Sequence, residues 1–478
     1  MAASKLTILK FVGFAVGLAA KFVTGSIFVF NVYQDAIKTN FNYTQTEVEL
    51  LASMLNAGLG VGFVPGMFYD KFGPTLTSGA GLIVSVPVYL LMWSTVKYTS
   101  FYSKNVWLMA IYFLLAGFGS VFTYMVALNT NVINFSSNHT GKIVGFLNAV
   151  FAGSPSVFAT VYYNLFTTGD STIAENQDFA GFMLFLAILY GVVNIVCMFF
   201  LRIYTDPENK EDVSMTYYKD KNGIVLDELT IAVNGKSKSS EKSSENLDTT
   251  KDTPDNENEP LSVAQILCSI DFHLFVWMFA FASCVAFVYL TNLTVTSKSV
   301  HLDQYNNKLT LIIPITNAIV SAAIGILSDI FKDKIPRLVI VVLGCCAIIV
   351  SLVLVIVFAD KLILLIVATV FTGIGVGIIW SLCPTIMKEM FSVQHLGRNW
   401  GIALLLSALV SFGIQEIFGT LYDSKVPEGE VNICYGINCV REGYGVFIGI
   451  SVLAFCMGIL ILIRQRCCKC GSKTDMPV

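Results

Sequence analysis

Charge is what this sequence has least of. Only 13% of its 478 residues are Asp, Glu, Lys or Arg, against about 25% in an ordinary soluble domain. Histidine is scarcer still, with four residues (His139, His273, His301 and His395) scattered along the chain. Four isolated imidazoles make neither a His-rich metal centre nor a nucleophile with its base. No basic stripe is interleaved with aromatics, which excludes nucleic acid as a partner. The twelve cysteines are dispersed, mostly inside apolar runs, where thiols act as small hydrophobes. These absences leave no chemistry for an enzyme and call for no cofactor and no metal.

Apolar sequence is what the chain has instead. Hydrophobic residues make up 55% of it, and the mean hydropathy is +0.69. A helix crosses the hydrocarbon layer with about 20 mostly apolar residues. Runs of that kind fall near 8–33, 48–69, 76–97, 106–132, 142–166 and 180–203, then near 271–294, 308–331, 336–358, 361–387, 396–421 and 443–464. They are numbered spans 1 to 12 below. The first run is too long for the core of a signal peptide, so it reads as a span, with a cleaved leader as the alternative. The expectation is an all-α polytopic membrane protein of about twelve helices in two six-helix bundles.

Between the sixes the composition changes. Residues 206–259 hold 14 acids and 7 lysines, so the rest of the chain has a net charge of +4 although the whole is −3. The segment includes KSKSSEKSSENLDTTKDTPDNENEP and cannot bury enough apolar surface to offset its ordering entropy. The expected domains are therefore a first bundle at 1–205, a disordered linker at 206–262, a second bundle at 263–466 and a tail at 467–478. Basic residues favour one side: Lys71, Lys142, Arg202, Lys332, Arg337, Lys388, Arg398 and Arg464 all fall at the ends shared with both termini and the linker. The positive-inside bias makes that side cytoplasmic. No mitochondrial or plastid leader is evident, leaving the plasma membrane or a vacuolar or lysosomal membrane.

One short pattern occurs twice. Span 2 ends in Gly66-Met-Phe-Tyr-Asp70-Lys71-Phe-Gly73, and span 8 ends in Gly325-Ile-Leu-Ser-Asp329. Parallel repeats of six helices joined by a long inner loop mark one large transporter architecture. At these residues the chain resembles the major facilitator superfamily, whose loop after span 2 has the form Gly-x-x-x-Asp-basic-x-Gly. Pro74 and Thr75 stand where that family continues with a basic residue. Within the superfamily, stretches 25–51, 141–166 and 375–401 are similar to the nodulin-like, monocarboxylate-transporter-like branch. The resemblance implies alternating access by a secondary carrier and a gate latch. In that latch the Asp70 carboxylate would meet the positive N-terminal end of another helix, near Asn399 of span 11.

Lys21 is the sharpest single residue. It lies mid-span in GFAVGLAAKFVTGSIFVF, where a charge costs at least about 2.5–3.5 kcal/mol. A helical register would align it with Thr24, Phe28 and Asn31. An ammonium there suits a carboxylate. Tyr124, Asn148, Asn317, Trp380, Ser411 and Gln415 are further candidates to line a binding cavity, with helix-to-helix hydrogen bonding as their other reading. No acid falls at a span centre, so no carboxylate relay accounts for proton coupling, although a proton remains the candidate coupling ion. The expected cargo is a small organic anion such as a monocarboxylate. An amino acid is the alternative, and a transporter-like sensor is the alternative of another class. The carrier is expected to be monomeric, with the lipid bilayer as its other partner.

Cys434 and Cys439 fall in the outer loop before span 12, where a disulfide is allowed and a metal site lacks a histidine; the resembled proteins carry a short cysteine pair there. Cys467, Cys468 and Cys470 beside basic residues are candidates for palmitoylation. Of the sequons, Asn42 is the one expected outside and glycosylated.

Overall fold

The computed structural model describes residues 2–136, 138–169, 174–204, 263–391, 393–426 and 434–471. The linker 206–262 lies outside the described residues. Among the described residues, eleven stretches are long and apolar enough to cross a membrane, and one of them, Leu50–Tyr102, runs for 53 residues. That stretch holds two crossings, because the helix Phe63–Thr95 is broken at Gly73, with φ 72° and ψ −176°. An L-residue with a side chain scarcely reaches that conformation. Pro74 then starts span 3, lacking only an N–H that a helix start leaves unbonded. Twelve crossings result.

The other spans follow the apolar runs, generally extended beyond them. Span 1 is Ala2–Thr24, continued through a 3-10 turn at Gly25–Val29 into Phe30–Phe41. Span 2 begins at Gln45 with a reciprocal cap: Thr44 Oγ1 accepts from the Glu47 nitrogen at 3.3 Å, and Glu47 accepts from the Thr44 nitrogen at 2.8 Å. Glu47 is thereby spent on capping. Spans 4, 5 and 6 are Val106–Asn134, Thr140–Leu165 and Phe179–Phe200. Spans 7 to 12 are Ile270–Ser299, Asn306–Ile330, Arg337–Phe358, Leu362–Met390, Leu396–Asp423 and Asn438–Gly471.

Aromatic clusters form much of the interior on each side. Tyr33, Phe41, Phe113, Tyr162, Phe179 and Phe182 are buried among the first six spans. Phe275, Phe279, Trp400, Tyr444 and Phe447 are buried among the second six. The sets meet along two seams, span 2 against span 11 and span 5 against span 8. Glycines allow both approaches. A Cβ on Gly66 would strike the Gly397 carbonyl oxygen, and one on Gly325 would come within 2.5 Å of the Gly141 oxygen and 2.9 Å of the Gly145 Cα.

Candidate functional site

The repeated Asp residues lie at one end of the bundle and do the same thing. Asp70 Oδ1 accepts from the Gly397 nitrogen at 3.0 Å, and its Oδ2 accepts from the Arg398 nitrogen at 2.6 Å. Those nitrogens open span 11, where unpaired N–H groups and the helix dipole both favour an anion. Asp329 repeats the bond on the other seam, taking the Gly141 nitrogen at 3.0 Å and the Lys142 nitrogen at 2.8 Å, at the start of span 5. Each carboxylate thus crosses from one six-span set to cap a helix of the other.

Further charges tighten this end. Arg337 donates to Asp329 at 2.6 Å and also pairs with Glu389. The Lys388 ammonium, at the end of span 10, donates to Val132 O at 2.8 Å, Phe135 O at 3.4 Å and Thr140 Oγ1 at 3.2 Å. These acceptors are the last carbonyls of span 4 and the first hydroxyl of span 5, so a cation caps a helix C-terminus. Lys332 bonds Asn138 across the same gap. Deeper between the two sets, Asn148 Nδ2 donates to Ser321 Oγ at 2.7 Å. The Asp70 end is closed.

Lys21 lies deeper and is 1% exposed. Its Nζ is 3.0 Å from the centroid of the Tyr124 ring and 5.2 Å from that of Phe151. Among the described residues no carboxylate pairs with it. From the two rings against the ammonium, Tyr124 and Phe151, an aromatic layer extends across the place where the two sets meet. The Tyr124 hydroxyl lies near the Trp400 indole of span 11, whose Nε1 has no hydrogen-bond partner among the described residues; Trp400 packs on Phe279 at 4.8 Å, and Trp380 packs on Phe279 at 5.4 Å. Phe151 and Phe287 both contact Phe28, at 5.6 Å and 6.4 Å. A desolvated cation on such faces gains about 2 kcal/mol, which offsets part of its burial cost and leaves its charge uncompensated.

A family model described as Major Facilitator Superfamily matches residues 14–414. The chain belongs to the major facilitator superfamily. The probable transporter mch1 of Emericella nidulans is 28% identical over 198 residues, or 39% of this chain and 32% of that protein. The chain therefore matches about a third of that relative's length. The proton:xylose symporter XylE, bound to 6-bromo-6-deoxy-D-glucose, shares the fold with a TM-score of 0.64 at 14% identity, covering 97% of this chain and 95% of that one. FucP in its outward conformation superposes with a TM-score of 0.61 at 11% identity, covering 94% of this chain and 99% of that one. As a major facilitator protein the chain is an integral, multi-pass membrane protein with the all-α fold of that superfamily.

Within this superfamily frame the sequence candidates fall into separate groups. Tyr124 and Trp380 join Lys21 in the aromatic layer. Asn148 and Asn317 meet at Ser321, which donates to Asn317 Oδ1 at 2.9 Å, so both are tied to other protein groups at the span 5 and span 8 seam. Gln415 is exposed and accepts from Thr291 at 3.1 Å and Asn292 at 3.0 Å, within the second set. Ser411 is half-buried beside it in sequence, while Ser407, one turn earlier, bonds Ser283 at 2.7 Å.

Asn31 follows a 3-10 turn at Gly25–Val29. The 3-10 turn advances the chain by three residues per turn instead of 3.6, which breaks the expected register. Thr24 is buried and bonds back to the Lys21 carbonyl at 2.9 Å, whereas Asn31 is exposed. The residues that the sequence reading passed over are Arg398, Trp400, Arg337, Lys388, Phe151 and Ser321. At the far end Cys434 and Cys439 are disulfide-bonded with Cα atoms 5.8 Å apart. Asn42 is exposed as the left-handed C-cap of span 1. The Asn134 sequon is buried and engaged with Arg202 O and the Tyr204 nitrogen, each at 2.8 Å. Lys71 is exposed at the span end. The side chains of Cys467, Cys468 and Cys470 lie outside the described residues.

Proposed function

We propose that the cargo is a small organic anion, a monocarboxylate or a close chemical relative, held at the aromatic layer by Lys21. The observation that carries this reading is the buried Lys21 ammonium, which lies against the Tyr124 and Phe151 rings and has no acid paired with it among the described residues. An uncompensated cation in an apolar site gains most from an anion that brings its own apolar body. A monocarboxylate supplies both parts, its methyl or alkyl portion against Phe151, Trp380 and Trp400 and its carboxylate at Nζ.

With the basic ends cytoplasmic, the Asp70 and Asp329 latches close the cytoplasmic gate, and Asn42 and the Cys434–Cys439 loop face outward. Transport then requires those latches to break while the far end closes over the anion. The proposed units are the two six-span bundles joined by a cytoplasmic linker, working as a monomer in the plasma membrane or a vacuolar or lysosomal membrane. An amino acid would present the same carboxylate. Its ammonium would also require an acid, and no acid pairs with Lys21 among the described residues.

Proteoliposomes of the full chain test the reading. Labelled lactate, pyruvate, acetate and neutral amino acids are offered with and without an inward proton gradient. Saturable monocarboxylate uptake is expected, and its loss in Lys21→Ala protein that remains monodisperse. Uptake indifferent to Lys21 refutes the site; uptake of amino acids in preference to monocarboxylates refutes the cargo.

A further inference from the structure

The two latches look equivalent and are not. At the Asp329 latch the neutralising guanidinium, Arg337, belongs to the same six-span set as the acid and stays with it at 2.6 Å. At the Asp70 latch the guanidinium, Arg398, belongs to the opposite set. It is 6% exposed, its Nε donates to Asn399 Oδ1 at 3.1 Å, and its Nη2 has no hydrogen-bond partner among the described residues. Asn399 is fully buried and its Nδ2 is likewise unpartnered. Asp70 touches only the backbone of Arg398, its carboxylate acting on the guanidinium through space.

Opening this seam therefore has a different electrostatic result from opening the other. Asp329 leaves with its own cation. Asp70 leaves behind the N-terminus of span 11, with two freed N–H groups, a guanidinium whose Nη2 is unused and a spare amide donor on three consecutive residues. Helix N-termini bind anions, and a guanidinium beside one adds charge and a forked donor geometry. Trp400, the next residue, reaches Tyr124 and so the Lys21 layer.

We infer that Gly397, Arg398 and Asn399 form a second anion site at the Asp70 end, which a carboxylate ligand occupies in place of Asp70 when the gate opens. This rests on the organic-anion reading above for its ligand class. Cargo and latch compete for the same donors, so a carboxylate arriving at this end holds the gate open. The carboxylate then has a relay point between that aqueous face and Lys21.

Equilibrium binding of lactate to the full chain in nanodiscs, followed by microscale thermophoresis, tests the site. Asp70→Asn removes the competing charge, and binding is expected to tighten about tenfold because the competent state is no longer masked. Adding Arg398→Gln to Asp70→Asn abolishes that gain, whereas adding Lys21→Ala leaves it. Should the Arg398→Gln protein not stay monodisperse, Arg398→Lys in the Asp70→Asn background is the substitute. It keeps the charge without the fork and is expected to give up about half of the gain on a logarithmic scale. A gain that survives loss of Arg398, or no gain in Asp70→Asn, overturns the second site. The uptake assay with Lys21→Ala decides the cargo reading separately, since it is run in protein with Asp70 intact.

Discussion

Asp329 and Arg337 lie 2.6 Å apart within one six-span set, with Arg337 only 5% exposed. The pair therefore serves the fold of its own half as well as the gate. Asp329→Asn leaves Arg337 buried with Glu389 as its one acid among the described residues. Breaking one arm of a buried pair costs about 3 kcal/mol. The expected outcome is a clear fall in the thermal unfolding midpoint of the purified protein. Asp70→Asn is expected to melt close to wild type, because its bonds join the two sets and support neither alone. Equal melting shifts would refute the asymmetry.

The glycine seams give a purely steric way to open the same gate. Gly66→Ala puts a methyl group against the Gly397 carbonyl, in backbone that has nowhere to move without parting spans 2 and 11. Overpacking of this kind costs about 1–3 kcal/mol, which shifts a two-state equilibrium about fivefold or more. Spin labels at exposed Lys71 and Lys334 report the width of this end by pulsed electron resonance, in a background freed of reactive cysteines. A longer-distance population is expected to grow in Gly66→Ala. Gly413→Ala, where an added Cβ has nothing within 4 Å, is the control and should leave the distribution alone.

Much of this gate could be read from the sequence because its signals are local. Asp70 and Asp329 each follow a glycine by four residues at the end of an apolar run, and a carboxylate at such a terminus has a helix end as its natural partner. Lys21 stood out because a mid-span charge is costly whatever surrounds it. The register at Asn31 was not legible: four apolar residues and a serine at Gly25–Val29 carry no mark of a 3-10 turn, and that turn rotates everything after it. Arg398 and Lys388 look in sequence like ordinary basic residues at span ends. Their importance arises from the opposite set of helices, which only tertiary register brings to them. Asn148 and Asn317 look alike in sequence whether they line a cavity or bond each other's neighbour, and the Ser321 that joins them is brought there only by the packing of span 5 on span 8.

The cation on an aromatic face yields the last prediction. Lys21 Nζ sits 3.0 Å from the Tyr124 centroid, with the Tyr124 hydroxyl turned toward Trp400. Tyr124→Phe keeps the ring and loses the hydroxyl, whereas Tyr124→Leu keeps apolar bulk and loses the quadrupole. If the ring face holds the ammonium in place for an incoming anion, the leucine variant loses about 1–2 kcal/mol of that arrangement. Saturable lactate uptake should then fall about fivefold to thirtyfold in Tyr124→Leu and by less than about threefold in Tyr124→Phe. The opposite order would assign the role of Tyr124 to its hydroxyl and the Trp400 contact. Equal loss in both would mean that the site needs the intact tyrosine. An effect in neither would show that Lys21 leaves the ring before the anion arrives.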